Sequence, residues 1–159
     1  MMAVLQIDGI EVACMPGETL LELARRVGLG TRIPTLCHLA GSLPEGGCRL
    51  CLVEVEGRPR PVAACHSMAE AGQVVRTSTQ RLHELRRGLL QLWADATPAA
   101  AAKALCGSHD RNIFNNLLNK YDVSPGAGAS AVQQSNDLHP YLRFSAERCL
   151  VCRRCVQVC

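Results

Sequence analysis

Aromatic residues are nearly absent from this chain: one Trp, two Tyr and two Phe among 159 residues. That shortage excludes a large aromatic-rich core, in a length sufficient for one ordinary domain or two small ones. No stretch approaches 18 uninterrupted apolar residues, so no segment reads as a membrane-spanning helix. Residues 1–9 lack a basic stretch followed by a long apolar run, the pattern of a secretory leader. There is no P-loop, no G-x-G-x-x-G after a strand pattern and no Ser/His/Asp arrangement. Neither a nucleotide site nor an independent active site is therefore legible. Lysine is scarce as well: of the 17 basic residues only two are Lys. The formal charge of +3 comes without a basic stripe interleaved with aromatics, so a nucleic-acid partner is not expected.

Cysteine is plentiful: there are ten, and eight fall into two patterns. Without a leader the expected compartment is reducing, the cytoplasm, where grouped thiols mean metal rather than disulfides. Cys37, Cys48, Cys51 and Cys65 read C-x10-C-x2-C-x13-C, and Cys149, Cys152, Cys155 and Cys159 read C-x2-C-x2-C-x3-C. The first set fits a 2Fe-2S cluster, whose two irons need four terminal thiolates. The alternative is a structural zinc site on the same four residues. The ten-residue gap and the Gly46-Gly47 pair before Cys48 favour iron, because glycine lets the backbone pass close to sulfur and aim N–H groups at it. In the second set, three cysteines spaced by two residues suit a 4Fe-4S cluster; the fourth of such a run commonly ligates the other cluster of a pair, so the fourth ligand here is Cys159, a rearranged thiol such as Cys106, or a partner residue. An oxidised cluster on four thiolates carries roughly −2, so two of them would take the chain from +3 to about −1.

The frame around the first set reads as an α+β domain. Residues 3–7 and 10–14 flank Asp8-Gly9, a strong two-residue hairpin signal. In that register Ile7 faces Ile10, Leu5 faces Val12 and Ala3 faces Cys14, which places Cys14 as a small buried hydrophobe rather than a ligand. Thr19 and Glu22 make a capping box ahead of Leu20, Leu23, Ala24 and Val27, and Gly28 ends that helix. Short strands are expected at 52–56, 62–65 and 73–77. Hairpin, helix and further strands give a β-grasp order, a mixed sheet crossed by one helix. Thr79 is expected to cap a long helix with a core-facing stripe of Leu82, Leu85, Leu89 and Leu92. Thr97-Pro98 opens an alanine-rich helix to Leu105, and Ile113, Phe114, Leu117, Leu118 and Tyr121 mark another. Residues 124–131 are rich in Gly, Ser and Ala and read as a linker.

The run Ile33-Pro34-Thr35-Leu36-Cys37, then Gly47-Cys48-Arg49-Leu50-Cys51-Leu52-Val53-Glu54-Val55-Glu56-Gly57, then Ala63-Ala64-Cys65, resembles a known ferredoxin-like module. That module is the N-terminal domain of the large iron–sulfur subunit of respiratory complex I. Similar modules occur in NAD-reducing hydrogenase diaphorase subunits, iron-only hydrogenases and NAD-dependent formate dehydrogenases. The resemblance covers residues 3–93 and again 141–159, where Phe144 to Cys159 is similar to the ferredoxin half-motif of the same family. It implies an electron relay between a flavin/NAD(H)-binding subunit and a distant catalytic redox subunit.

The chain also departs from that family. Where the family carries H-x3-C-x2-C-x5-C after the long helix, this sequence has Ala94-Asp95-Ala96-Thr97-Pro98 and an alanine run, with only Cys106 and His109 remaining. Two ligands cannot hold a cubane, so that cluster is expected to be lost and Cys106 to be a plain thiol. The family's relay continues well past residue 159, so a truncated product is expected, or else a partner chain supplying the rest. Arg148, Arg153 and Arg154 read either as a solvated basic face or as a dock for an acidic partner. The expected organisation is a β-grasp 2Fe-2S domain at 1–78, a helical segment with a degenerate His/Cys motif at 79–123, a linker at 124–140 and a 4Fe-4S segment at 141–159. The expected function is a non-catalytic electron-transfer subunit or segment. The alternatives are an N-terminal fragment of a catalytic hydrogenase or formate dehydrogenase subunit, and a zinc-stabilised interaction module.

Overall fold

The computed structural model describes residues 3–97, 109–124, 140–141 and 149–158. The chain divides into two compact units, Met1–Arg86 with Arg153–Cys159, and Arg87–Cys152.

The first unit is built on β1 (Val4–Ile7) and β2 (Ile10–Ala13). Asp8 and Gly9 both take positive φ, 49° and 84°, which matches the right-handed twist of the strands they join. The register pairs Leu5 with Val12 and Ile7 with Ile10, as the alternation requires, and the Cys14 N–H donates to the Ala3 carbonyl at 2.7 Å. Leu5, Ile7 and Val12 are buried while Ile10 is exposed, so the apolar face is covered only towards its centre. Cys14 is half-buried against the core cluster rather than fully enclosed.

Helix α1 (Leu20–Arg26) carries the expected capping box: the Glu22 N–H donates to the Thr19 hydroxyl, and the Thr19 N–H donates to the Glu22 carboxylate. Leu20, Leu21, Leu23 and Ala24 enter the core, and Gly28 follows the helix at φ +79°. A 3-10 turn (Gly30–Arg32) leads to a long irregular loop ending at Cys51. Next come β3 (Leu52–Val55), β4 (Val62–Ala63) and β5 (Val74–Arg76). The sheet order is β2-β1-β5-β3-β4, with β1 and β5 parallel and the other pairs antiparallel. This is the mixed sheet with a crossing helix that the sequence implied. One core holds residues of β1, β2, α1, β3, β4 and β5 together, and Cys51 and Cys65 belong to it. Asp8 locks the far end: it accepts from the Thr77 N–H at 2.7 Å, from the Thr77 hydroxyl, and from Arg32 at 3.1 Å.

Helix α2 (Gln80–Ala96) starts where expected, the Leu82 N–H donating to the Thr79 hydroxyl at 3.2 Å. Its buried row differs from the expected stripe. Leu85 is 39% and Leu92 is 67% exposed, whereas Leu82, Leu90, Ala94 and Thr97 are buried. Successive buried positions are spaced by three or four, and Arg86 occupies one of them. In the second unit, α3 (His109–Lys120) buries Phe114, Leu117 and Leu118, with Tyr121 just beyond. The expected alanine-rich helix to Leu105, Cys106 and most of the 124–140 linker lie outside the described residues. A short α4 (Arg154–Val158) forms near the C-terminus, where the cysteine spacing alone had been legible. Among the described residues, no helix is long and apolar enough to cross a membrane.

Candidate metal centre

Cys37, Cys48 and Cys51 come from the loop between the 3-10 turn and β3, and Cys65 from the turn after β4. All four are buried and none is in a disulfide. β4 pairs with β3 and extends the ladder by one bond, Ala64 N–H to Cys51 carbonyl at 3.0 Å, which brings Cys65 back beside Cys51. The Sγ atoms of Cys51 and Cys65 lie 3.4 Å apart. The Cys37 and Cys48 thiols act on one another in the same way, each shifting the other's pKa.

The two pairs behave alike. Cys48 is drawn down to about 6, first by the hydrogen bond from Cys37, and also by the N–H groups of Cys37, Leu50 and Leu36 turned towards its sulfur. Cys37 is pushed up, first by its hydrogen bond to Cys48 and then by burial. Cys51 is drawn down to about 7, first by its side-chain hydrogen bond with Cys65 and also by its own and the Cys65 N–H groups. Cys65 is pushed up, first by its bond to Cys51, then by burial and by the other three sulfurs. In each pair one thiol is drawn down and its partner pushed up, and backbone N–H groups point at the sulfurs that are lowered.

Local backbone makes this possible. Arg49, between Cys48 and Cys51, takes φ +56°, a left-handed turn between two buried cysteines. The Gly47 and Cys48 N–H groups face the Cys37 sulfur. Gly46 serves a different purpose: it takes φ +64°, and a Cβ there would meet the His66 ring at 2.7 Å.

A mononuclear zinc would need four sulfurs mutually about 3.8 Å apart around one centre, from the ~2.3 Å Zn–S bond. Among the described residues no three His, Cys, Asp or Glu side chains converge on one ion position. Two thiol pairs, each able to serve one iron, are what a binuclear group requires, and the donor set and inward N–H groups suit an anionic iron–sulfur core.

Two side chains outside the cysteine pattern hold this site. Arg86 donates from Nε to the Leu50 carbonyl at 3.1 Å and from Nη2 to the Leu52 carbonyl at 2.6 Å, bracketing Cys51. Its trace in sequence is one arginine placed four residues after Leu82 and four before Leu90. Gln157 donates to the Cys37 carbonyl at 2.9 Å and accepts from Ser42, and nothing in the sequence marks it. Arg153 pairs with Glu45 at 3.2 Å while its side chain remains 61% exposed.

Of the second cysteine set, Cys149 and Cys152 fall in the second unit and Cys155 in the first, while Cys159 lies outside the described residues. The Cys149 sulfur accepts from the Val151 N–H at 3.3 Å.

Residues 2–80 match the model of a 2Fe-2S iron-sulfur cluster binding domain. The chain is similar to the NADH-ubiquinone oxidoreductase 78 kDa subunit of Neurospora crassa, 30% identical over 96% of this chain and 21% of that protein. It is 29% identical to the alpha subunit of an NADPH-Fe(3+) oxidoreductase of Geobacter sulfurreducens, over 99% of this chain and 18% of that protein. A crystal structure of an NAD+-reducing NiFe hydrogenase in the H2-reduced state aligns with a TM-score of 0.78 at 27% identity, covering 98% of this chain and 64% of that one. The chain thus spans about a fifth of the length of these curated relatives.

Proposed function

Residues 2–80 belong to the 2Fe-2S iron-sulfur cluster binding domain family, and on that premise we propose that this chain is an iron–sulfur electron-transfer segment of an NAD(P)H-linked redox complex. Cys37 and Cys48 hold one iron and Cys51 and Cys65 the other. The observation that carries this reading is the pairing of four buried thiols, one pair 3.4 Å apart, beneath inward-pointing N–H groups. The bound cluster supplies a one-electron carrier. The chain's own part is to exclude water from the sulfurs, to fix them in pairs and to stabilise negative charge with backbone dipoles and Arg86.

Cys149, Cys152 and Cys155, with Cys159 as fourth ligand, hold a second, 4Fe-4S cluster; the support is the C-x2-C-x2-C-x3-C spacing. Residues 1–78 then carry the first centre and 141–159 the second, joined by the helical stretch 79–123 and the linker 124–140. A carrier of single electrons needs a two-electron converter when its donor is a nicotinamide, so the partners are a flavin/NAD(H)-binding subunit and a catalytic redox subunit.

Anaerobic reconstitution with metal analysis and EPR tests the reading. Roughly six irons per chain are expected, as one 2Fe-2S and one 4Fe-4S centre. A reduced-state signal abolished or strongly altered by Cys48→Ser is expected, along with negligible NADH oxidation by the chain alone. Zinc in place of iron, or a Cys48→Ser signal identical to wild type, overturns it. About ten irons with two cubane signals would reveal a further ligand set within residues 94–120.

A further inference from the structure

Arg86 is 3% exposed, yet among the described residues no carboxylate pairs with it. Its partners are two neutral backbone carbonyls, Leu50 at 3.1 Å and Leu52 at 2.6 Å. A buried guanidinium is costly to keep without a counter-charge, and hydrogen bonds to carbonyls satisfy its N–H groups but not its charge. Leu50 and Leu52 flank Cys51 directly, so the clamp lies on the backbone that carries one of the four cysteine sulfurs.

The geometry points to Arg86 as the built-in counter-cation of the 2Fe-2S site, raising the affinity of that site for the electron. The inference rests on the cluster assignment above and adds a residue that no cysteine pattern contains. Two routes act together. Through space, a unit positive charge within roughly 10 Å at an effective dielectric of about 20 favours an added negative charge by about tenfold. Through bonds, the Leu50 carbonyl and the Cys51 N–H belong to one peptide group. A guanidinium pulling on that carbonyl makes the N–H a stronger donor, and this N–H lies against the Cys51 sulfur. Arg86 touches no sulfur and is a tuning and positioning residue. The electron comes from the external donor; no proton or bond is transferred at Arg86.

The test is an EPR-monitored redox titration of the full chain, reconstituted anaerobically, as wild type, Arg86→Gln and Arg86→Lys. Gln keeps an amide donor and removes the charge; Lys keeps the charge and loses the planar two-point clamp. With charge as the cause, Arg86→Gln lowers the reduced-to-oxidised ratio at fixed potential about tenfold, ~59 mV for one electron, and Arg86→Lys stays within about threefold of wild type. A Gln variant at the wild-type potential, or Gln and Lys variants lowered equally, overturns the role. Should Arg86→Gln fail to retain iron, Arg86→Lys decides: near-wild-type potential supports the counter-cation, and a tenfold drop or loss of the cluster overturns it. A wild-type chain lacking any reducible 2Fe-2S signal would bring down the cluster assignment itself, whereas a normal wild-type signal with an unmoved Gln variant removes only Arg86.

Discussion

Gln157 and Cys37 stand 120 positions apart, and the Gln157 side-chain amide donates to the Cys37 carbonyl at 2.9 Å. The same side chain accepts from the Ser42 hydroxyl at 3.1 Å, and Arg153 reaches Glu45 at 3.2 Å. Helix α4 has five residues, far below the ~12 needed for a helix to persist unaided. These contacts therefore hold α4, and in return they fix the loop that carries the first two cysteines.

Gln157→Leu removes both hydrogen bonds with little change in size. Amide hydrogen exchange at residues 37–48 and 154–158 should accelerate about five- to tenfold, matching a loss of about 1 kcal/mol of local stability. Unchanged exchange in both segments would show that α4 is held by something else.

Gly46→Ala places a Cβ at φ +64° and 2.7 Å from the His66 ring. A destabilisation of about 1–3 kcal/mol is expected in denaturant titration. The double variant Gly46→Ala/His66→Ala should recover the steric share and retain the backbone share. Full recovery would mean that the positive φ costs nothing there.

Asp8 is the pH-sensitive tie of the sheet. Burial raises its pKa, but the hydrogen bonds from the Thr77 side chain and backbone and from Arg32 outweigh burial and leave it lowered. A carboxyl lowered in the folded state binds fewer protons folded than unfolded. Its stabilisation is therefore complete above the ordinary carboxylate value of about 3.9 and is lost as pH falls through the folded value. Asp8→Asn should cost about 2 kcal/mol near pH 7, and the gap from wild type should narrow as acid is added below that range. A gap independent of pH would place the effect in packing instead.

Thr19→Ala breaks the capping box at the start of α1 and should lower stability by about 1 kcal/mol, read as a shift of the urea midpoint with unchanged slope. Thr19→Ser should restore most of it. Equal losses in both variants would point to the Thr methyl rather than the hydroxyl.

The frame of the first unit was legible in the residues themselves. Asp8-Gly9, the Thr19/Glu22 box and Gly28 act through φ preferences and hydrogen bonds within a few residues, so hairpin register and helix start could be read before any fold was known. The cysteine spacing likewise pointed to a candidate sulfur-ligand site, because four thiols at such intervals match the ligand count of an iron–sulfur cluster. How those thiols pair was settled by packing in three dimensions. Cys51 meets Cys65 only because β4 returns along β3, a contact set by sheet registry and not by spacing. Packing also chose the face of α2: Leu85 and Leu92 obey helical period as well as Leu82 and Leu90 do, and only the packed partners selected the row that contains Arg86. Gln157 left no trace in the sequence, since its one distinguishing property is a carbonyl 120 residues away. Local physics is written in neighbouring residues; the charge and the contacts that tune a buried site come from residues that are neighbours only in space.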